Sequence, residues 1–331
     1  MTTNYFSDFL SQSVIGDLST ADEFEFGFQP SARVLTIIGS NGADHITARQ
    51  SDDKILVKKG ADTIFAGDGD DTINGGRGAD DIYGEDGNDK INGGRGHDFI
   101  DGGAGNDVIR GGRGKDTIEG GAGNDMISGG RGHDILIGGD GNDVMKGGRG
   151  NDLVDGGDGN DLLHGGKGAD LVFGGFGDDR LFGGDGFDGM DGAEGNDYLN
   201  GGRGNDILSS WSGDDTMVGG QGADVFVFNN LGGLYEDNKD TIKDFEVGVD
   251  TFIVLDPFID VTIAESVEAL GQVIDGDTYF FGGSPEGEVN TIVFGGITDP
   301  TSLIDDFLVG RSFNDIPNIE NHPLYDLIVF E

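Results

Sequence analysis

From residue 46 to residue 226 an apolar side chain stands at every ninth position. It is isoleucine ten times running, from Ile46 to Ile127, then Leu136, Met145, Val154, Leu163, Val172, Leu181, Met190, Leu199, Leu208, Met217 and Phe226. Two residues ahead of each lies an aspartate, in an unbroken ladder from Asp44 to Asp224. Glycine precedes that aspartate by two in every unit but one, where Ser51 takes its place. Well-formed units read GGRGHDFID (93–101), GGAGNDVIR (102–110) and GGDGNDLLH (156–164). A strict period of this length predicts a solenoid. Within a unit the first six residues predict a glycine-rich turn. The last three predict a short strand whose middle residue points inward and whose neighbours point out. One buried residue in nine leaves no unit a core of its own, so units must stack and stabilise one another as neighbours.

A second period lies over the first. The third position of the unit alternates between two chemistries. One series runs Asn41, Lys59, Arg77, Arg95, Arg113, Arg131, Arg149, Lys167, Asp185, Arg203, Gln221; the other runs Gln50, Asp68, Asp86, Ala104, Ala122, Asp140, Asp158, Phe176, Glu194, Ser212. The fifth position of the second series is always Asp or Asn, from Asp52 to Asp214. The structural repeat is therefore 18 residues, two turns and two strands per coil. The fold class expected is all-β: a parallel β-roll solenoid of 21 nonapeptide units with two chemically different turn edges. Three segments follow: an N-terminal cap (1–38), the roll (39–227) and a β-rich C-terminal capping region (228–331), the ends being richer in aromatic residues.

The ladder asks for a cation. Stacked turns bring carboxylates to within about 4.8 Å of one another, where like charges repel. Carboxylate and carbonyl oxygens at flexible positions suit Ca2+ with its six to eight ligands better than Mg2+. The chain has no cysteine, and its five histidines are scattered, which speaks against a transition metal. The ligands expected are Asp62, Asp71, Asp80, Asp89, Asp98, Asp107, Asp116, Asp125, Asp134, Asp143, Asp152, Asp161, Asp170, Asp179, Asp188, Asp197, Asp206, Asp215 and Asp224. The weakest sites are expected at the atypical units 48–53, 57–62 and 210–215. With 63 acids against 20 bases the net charge is −43, which excludes ordinary nucleic-acid binding. Such charge with little apolar content predicts a chain unfolded without Ca2+ and folded in it. No apolar run approaches a membrane span, and the first residues do not read as a signal peptide. Trp211 is expected to pack at the C-terminal lid, and His97, His133 and His164 to sit on the surface.

The repeats resemble the RTX (haemolysin-type calcium-binding) family. That resemblance implies Ca2+ held between a turn and the same-side turn one coil on, so that Asp80 shares an ion with turn 93–98 and Asp89 with turn 102–107. The segments GADVFVF (222–228), DTIKDFEVGVDTFIVL (240–255) and TIVFGGITDPTSLIDDFLV (291–309), with the tail Asp326-Leu327-Ile328-Val329-Phe330, resemble the end of serralysin-like proteins. This implies export by type I secretion machinery and an extracellular or cell-surface location.

The chemistry of the enzymes in that group is not visible. HExxH is absent, the nearest approach to GxSxG is Gly282-Gly283-Ser284-Pro285-Glu286, and the one GxGxxG (184–189) lies inside the repeat. The expectation is a non-enzymatic matrix, surface-layer or adhesion role. Two alternatives stand beside it. The basic column Arg77, Arg95, Arg113, Arg131, Arg149, Lys167 and Arg203 is a candidate anion-binding edge for an acidic polysaccharide, similar to the alginate-binding repeat modules of mannuronan epimerases. Its plainer reading is pairing with surplus acids, each exposed pair contributing roughly 0.2–1 kcal/mol. The other alternative is a remnant or accessory module of an RTX enzyme. The Asx column resembles RTX-type ice-binding repeats, but the threonine column that accompanies it there is absent here.

Overall fold

A computed structural model of the chain describes residues 23–25, 36–229, 239–246, 249–255, 271–274, 277–283, 289–294 and 307–309. Every regular element among them is a strand. Of the segments read above, most of the N-terminal cap (1–38), residues 247–248, Ser284-Pro285-Glu286, residues 295–306 and the tail 326–330 lie outside the described residues. The chain divides into two compact units, 1–158 and 159–331.

In the first unit successive strands alternate between two parallel sheets. One sheet runs Glu23–Glu25, His45–Thr47, Thr63–Phe65, Asp81–Tyr83, Phe99–Ala104, Thr117–Ala122, Ile135–Asp140, Leu153–Asp158. The other runs Thr36–Ile38, Lys54–Leu56, Thr72–Arg77, Lys90–Arg95, Val108–Arg113, Met126–Arg131, Val144–Arg149. Apart from Glu23–Glu25, which sets Glu23 beside His45, the pairings step by 18 residues: the column runs Ile73, Ile91, Ile109, Ile127 and Met145. Ile64, Ile82, Ile100, Ile118, Leu136 and Val154 do the same in the other sheet. The roll of 18 residues per coil is as the alternating third position predicts.

The strands differ in length from expectation. In most units they run six residues rather than three, as in Thr72–Arg77, so the Gly-Gly-x at the start of the next unit belongs to the strand. The turn proper is only the three residues ending in aspartate. Glycine is required there by close approach: a Cβ on Gly78 (φ +140°) would run into the backbone carbonyl of Gly60 one coil back. The apolar column is buried throughout this unit, from Ile46 to Val154. Each such side chain contributes roughly 1.5–3 kcal/mol of burial, shared with the coil on either side.

The second unit continues the same pattern through Val225–Asn229, with Leu163, Val172, Leu181, Met190, Leu199, Leu208, Met217 and Phe226 as its core. Beyond Asp224 the step lengthens. Thr216 pairs with Thr241 and Val225 with Thr251, so Lys239–Ile242 and Thr251–Leu255 extend the two sheets across insertions. Val289–Phe294 then joins Lys239–Ile242 in parallel, and Asp277–Gly283 and Gly271–Ile274 follow antiparallel. Phe245 packs between Phe226 and Phe252, with ring centroids 6.0 and 5.8 Å away. No helix among the described residues is long and apolar enough to cross a membrane.

Candidate metal centre

From Asp62 on, aspartates of the ladder are held by the coil before them. In the first unit the backbone N–H of Asp62 donates to Oδ1 of Asp80 at 3.0 Å, Asp80 to Asp98 at 3.1 Å, Asp98 to Asp116 at 3.0 Å and Asp116 to Asp134 at 3.0 Å. On the other edge Asp71 donates to Asp89, Asp89 to Asp107 and Asp107 to Asp125, at 2.7 to 2.8 Å. The second unit repeats this from Asp161 to Asp179, Asp197 and Asp215, and from Asp170 to Asp188, Asp206 and Asp224. All the predicted ligand aspartates, Asp143 and Asp152 included, are buried.

One oxygen is thereby used and the other is not. Oδ2 of Asp62, Asp71, Asp80, Asp89, Asp98, Asp107, Asp116, Asp125 and Asp134, and of Asp179, Asp188 and Asp206, is buried and accepts no hydrogen bond. What surrounds it is more acceptor. The Cβ position of Gly75 lies 2.8 Å from Asp80 Oδ2 and 2.7 Å from the Gly93 carbonyl one coil on. The corresponding distances are 2.6 and 3.0 Å at Gly93 (Asp98, Gly111), and 2.6 and 2.7 Å at Gly183 (Asp188, Gly201). A glycine with no side chain leaves a small hollow between a carboxylate oxygen and a carbonyl oxygen of the next turn. A buried charge facing only acceptors is costly unless a cation joins it.

The titration of these groups reports the same strain. Burial, reinforced by the neighbouring ladder carboxylates, pushes Asp71, Asp98, Asp107 and Asp179 up to about 7, and Asp197 and Asp206 up to about 8. Among the described residues no three His, Cys, Asp or Glu side chains converge on one point. A bound ion would therefore take one carboxylate per turn and draw its remaining ligands from main-chain carbonyls. That all-oxygen donor set fits Ca2+.

The RTX calcium-binding nonapeptide repeat model matches residues 36–64, 58–91, 65–100, 83–118, 101–136, 119–154, 128–163, 155–190 and 191–226, which together run without a gap through more than half of the chain. The chain belongs to the RTX calcium-binding repeat family. No curated protein matches it in sequence. Similar solved structures include a hyperactive, Ca2+-dependent, β-helical antifreeze protein from an Antarctic bacterium, at 21% identity and TM-score 0.36 over 68% of this chain and 84% of that one. A subunit of the Azotobacter vinelandii mannuronan C5-epimerase is similar at 22% identity and TM-score 0.20, over 46% and 85%. The extracellular lipase of Serratia marcescens is similar at 16% and 0.27, over 64% and 39%. None of these likenesses bears on what this RTX chain binds.

Sequence reasoning missed residues that prolong the RTX ladder. Asp215 donates its N–H to Asp240 Oδ1 at 3.2 Å, and Asp224 donates to Asp250 Oδ1 at 2.9 Å. Asp240 and Asp250 thus occupy ladder positions 25 and 26 residues on, where the nine-residue period no longer points. Asp244 caps the same end by accepting the N–H groups of Gly219 and Gly220, each at 2.9 Å. The ladder's first and last members differ from the interior. Oδ2 of Asp44 accepts the Ser40 N–H, and Oδ2 of Asp250 accepts the Glu246 N–H, both at 2.7 Å. In the atypical unit 210–215, the Ser210 hydroxyl bonds Asp197 Oδ2 at 3.4 Å. Trp211 does not pack into a lid: the residue is 53% exposed and its Nε1–H donates to Asp191 Oδ2 at 3.1 Å.

The two turn edges are distinct, as the alternation predicts. On the Asx edge of the first unit, Asp70, Asn88, Asn106 and Asn124 each accept, through Oδ1, the N–H of the residue one coil on. On the other edge Arg77, Arg95, Arg113, Arg131 and Arg149 stand in register and exposed. In the second unit Lys167 pairs with Asp185, and Arg203 Nη1 lies 3.7 Å from the same carboxylate.

Proposed function

We propose that this RTX chain is a secreted, non-enzymatic protein whose roll folds on binding extracellular Ca2+, and whose role is structural: matrix, surface layer or adhesion. The observation that carries the reading is the column of buried Oδ2 atoms, each facing a main-chain carbonyl and no donor. The ladder aspartates and the glycine carbonyls of the next coil would hold the ions. Bound calcium supplies the positive charge that lets adjacent turns carry their carboxylates ionised. The chain's own part is to fix each carboxylate through the N–H of the previous coil, so that one oxygen is oriented and one is free to ligate.

Export outside the cell accords with this chemistry. Calcium at cytosolic concentration leaves sites of extracellular-module affinity empty and the roll unfolded, whereas millimolar calcium outside fills them. A chain exported unfolded by a type I machine would then fold on arrival. The decisive test is far-UV circular dichroism of the metal-free protein during a Ca2+ titration, with Mg2+ as control. The expected result is a cooperative coil-to-β transition in Ca2+ alone, with a midpoint on the order of 10⁻⁴–10⁻³ M. A metal-free chain already folded and indifferent to Ca2+ would overturn the reading.

A further inference from the structure

The first unit carries a cationic surface that the calcium ladder does not use. Arg77, Arg95, Arg113, Arg131 and Arg149 end five neighbouring parallel strands, in register, so their Cα atoms follow the strand spacing of about 4.8 Å. A second column runs beside it in the turn: Ala79, His97, Lys115, His133 and Asn151, all exposed. His97 Nδ1 accepts the Lys115 N–H at 2.7 Å and His133 Nδ1 accepts the Asn151 N–H at 2.8 Å. With Nδ1 accepting, the neutral ring carries its proton on Nε2, as a further donor. Arg110 and Lys146 add exposed charge on the strands Val108–Arg113 and Val144–Arg149.

This charge is segregated. In a chain of net charge −43, no acid occupies the third or fifth position of any basic-edge unit from Asn41 to Asn151. Nor is the column internally neutralised: among the described residues none of the five arginines forms an ion pair. The second unit shows what neutralisation looks like, with Asp185 standing in the column between Lys167 and Arg203 and pairing with both. Five stacked guanidinium groups without partners repel one another and present a fixed row of forks, each shaped for a carboxylate.

We propose that Arg77, Arg95, Arg113, Arg131 and Arg149, flanked by His97, Lys115 and His133, form a binding track for a linear carboxylated polysaccharide lying along the stacking direction of the coils. A sugar chain with a carboxylate on each ring offers acceptors at a repeat of the same order as the rungs, so several forks engage at once. Single-stranded nucleic acid is the weaker fit. The track carries no Phe, Tyr or Trp for bases to stack on, and the chain as a whole has a net charge of −43. The track needs only the folded roll. Its strengthening by Ca2+, which neutralises the carboxylates buried beneath it, rests on the calcium reading above.

The test uses the full chain and a hexameric oligouronate, too short to gel with calcium, in titration calorimetry run both in Ca2+ and in chelator, with circular dichroism on the same samples. The expected result is saturable binding that weakens with salt, is absent for a neutral hexaose, and falls by about tenfold or more in Arg95→Gln/Arg113→Gln/Arg131→Gln. Lys167→Gln/Arg203→Gln, in the neutralised stretch, should change it little. Undiminished binding by the triple variant overturns the proposal. So does no binding by a folded chain, or tighter binding of a single-stranded oligonucleotide of equal charge. A chain that is folded and binds in chelator keeps the track and removes the calcium reading; a chain that folds in Ca2+ but binds nothing does the reverse.

Discussion

The backbone N–H of Asp80 donates to Oδ1 of Asp98 at 3.1 Å, and Oδ2 of the same Asp98 is buried with no donor in reach. One carboxylate thus has two jobs on two oxygens: the first ties adjacent coils together, and the second waits for a cation. Asp98→Asn separates them. The amide oxygen can still accept the Asp80 N–H, while the amide nitrogen puts a donor where a ligand is needed. The variant is expected to lose nothing in the metal-free state and to need several-fold more Ca2+ to fold, since one charged ligand is removed. Asp86→Asn, on the exposed edge, should leave the calcium midpoint unchanged. Circular dichroism titrations of both variants check this, and equal midpoints for Asp98→Asn and the parent chain would remove Asp98 from the ligand set.

The raised titration of the ladder sets the sign of the pH dependence. Desolvation pushes Asp98 and Asp107 up to about 7 and Asp206 up to about 8, while aspartates of an unfolded chain titrate near 4. Without metal the folded state therefore holds more protons than the unfolded state through this window. Its stability from these groups is fully present below about pH 4 and is lost as pH rises through about 6 to 8. The metal-free chain is expected to show more β structure at about pH 5 than at about pH 8.5. Calcium and protons compete for the same oxygens, so the Ca2+ midpoint should move to higher concentration as pH falls from about 8 to about 6. A midpoint that does not respond to pH would mean the ladder carboxylates are not the ligands.

The core column predicts a directional pattern of coupling. Ile109 is fully buried between Ile91 and Ile127 of the coils on either side. Ile109→Ala is expected to cost about 2–5 kcal/mol, as for other buried large-to-small changes. Because each coil rests only on its neighbours, Ile109→Ala with Ile127→Ala should be non-additive, whereas Ile109→Ala with Ile46→Ala should add. Double-mutant cycles from urea unfolding in Ca2+ read the difference directly. Equal coupling for near and distant pairs would show a core that does not behave as a stack.

Most of the roll could be read in advance because one period carries both of its requirements. The Ile46-to-Phe226 column announces the inward face, and the glycine two residues before each aspartate announces where backbones meet. Alternation between Arg95-type and Ala104-type residues announces two edges. Three features were not legible, for physical reasons. Strand length was misjudged because glycine, a turn residue elsewhere, here sits in the strand, where a side chain would collide with the next coil. The role of Oδ1 was hidden because its partner is a backbone N–H, which every residue possesses. Asp240 and Asp250 were missed because ladder membership depends on stacking against the previous coil, and insertions after Asp224 break the spacing without breaking the stack.

Those two hidden residues make the last prediction. Asp250 accepts the N–H groups of Asp224 and Glu246, at 2.9 and 2.7 Å, and so closes the ladder on its edge with no oxygen left over. Asp250→Ala strands the buried N–H of Asp224, at a cost of about 1–3 kcal/mol, while the N–H of the exposed Glu246 can turn to water. The loss is local, because a solenoid transmits stability only through neighbouring coils. In Ca2+ the variant is therefore expected to open first around Val225–Asn229 and Thr216–Gln221, while the coils near Ile100 keep their protection. Hydrogen exchange resolved along the chain can see this. Uniform loss of protection from Ile46 to Phe226 would mean the roll melts as one unit, and that Asp250 caps nothing in particular. Protection unchanged near Asp224 would mean the ladder ends where the nine-residue period does.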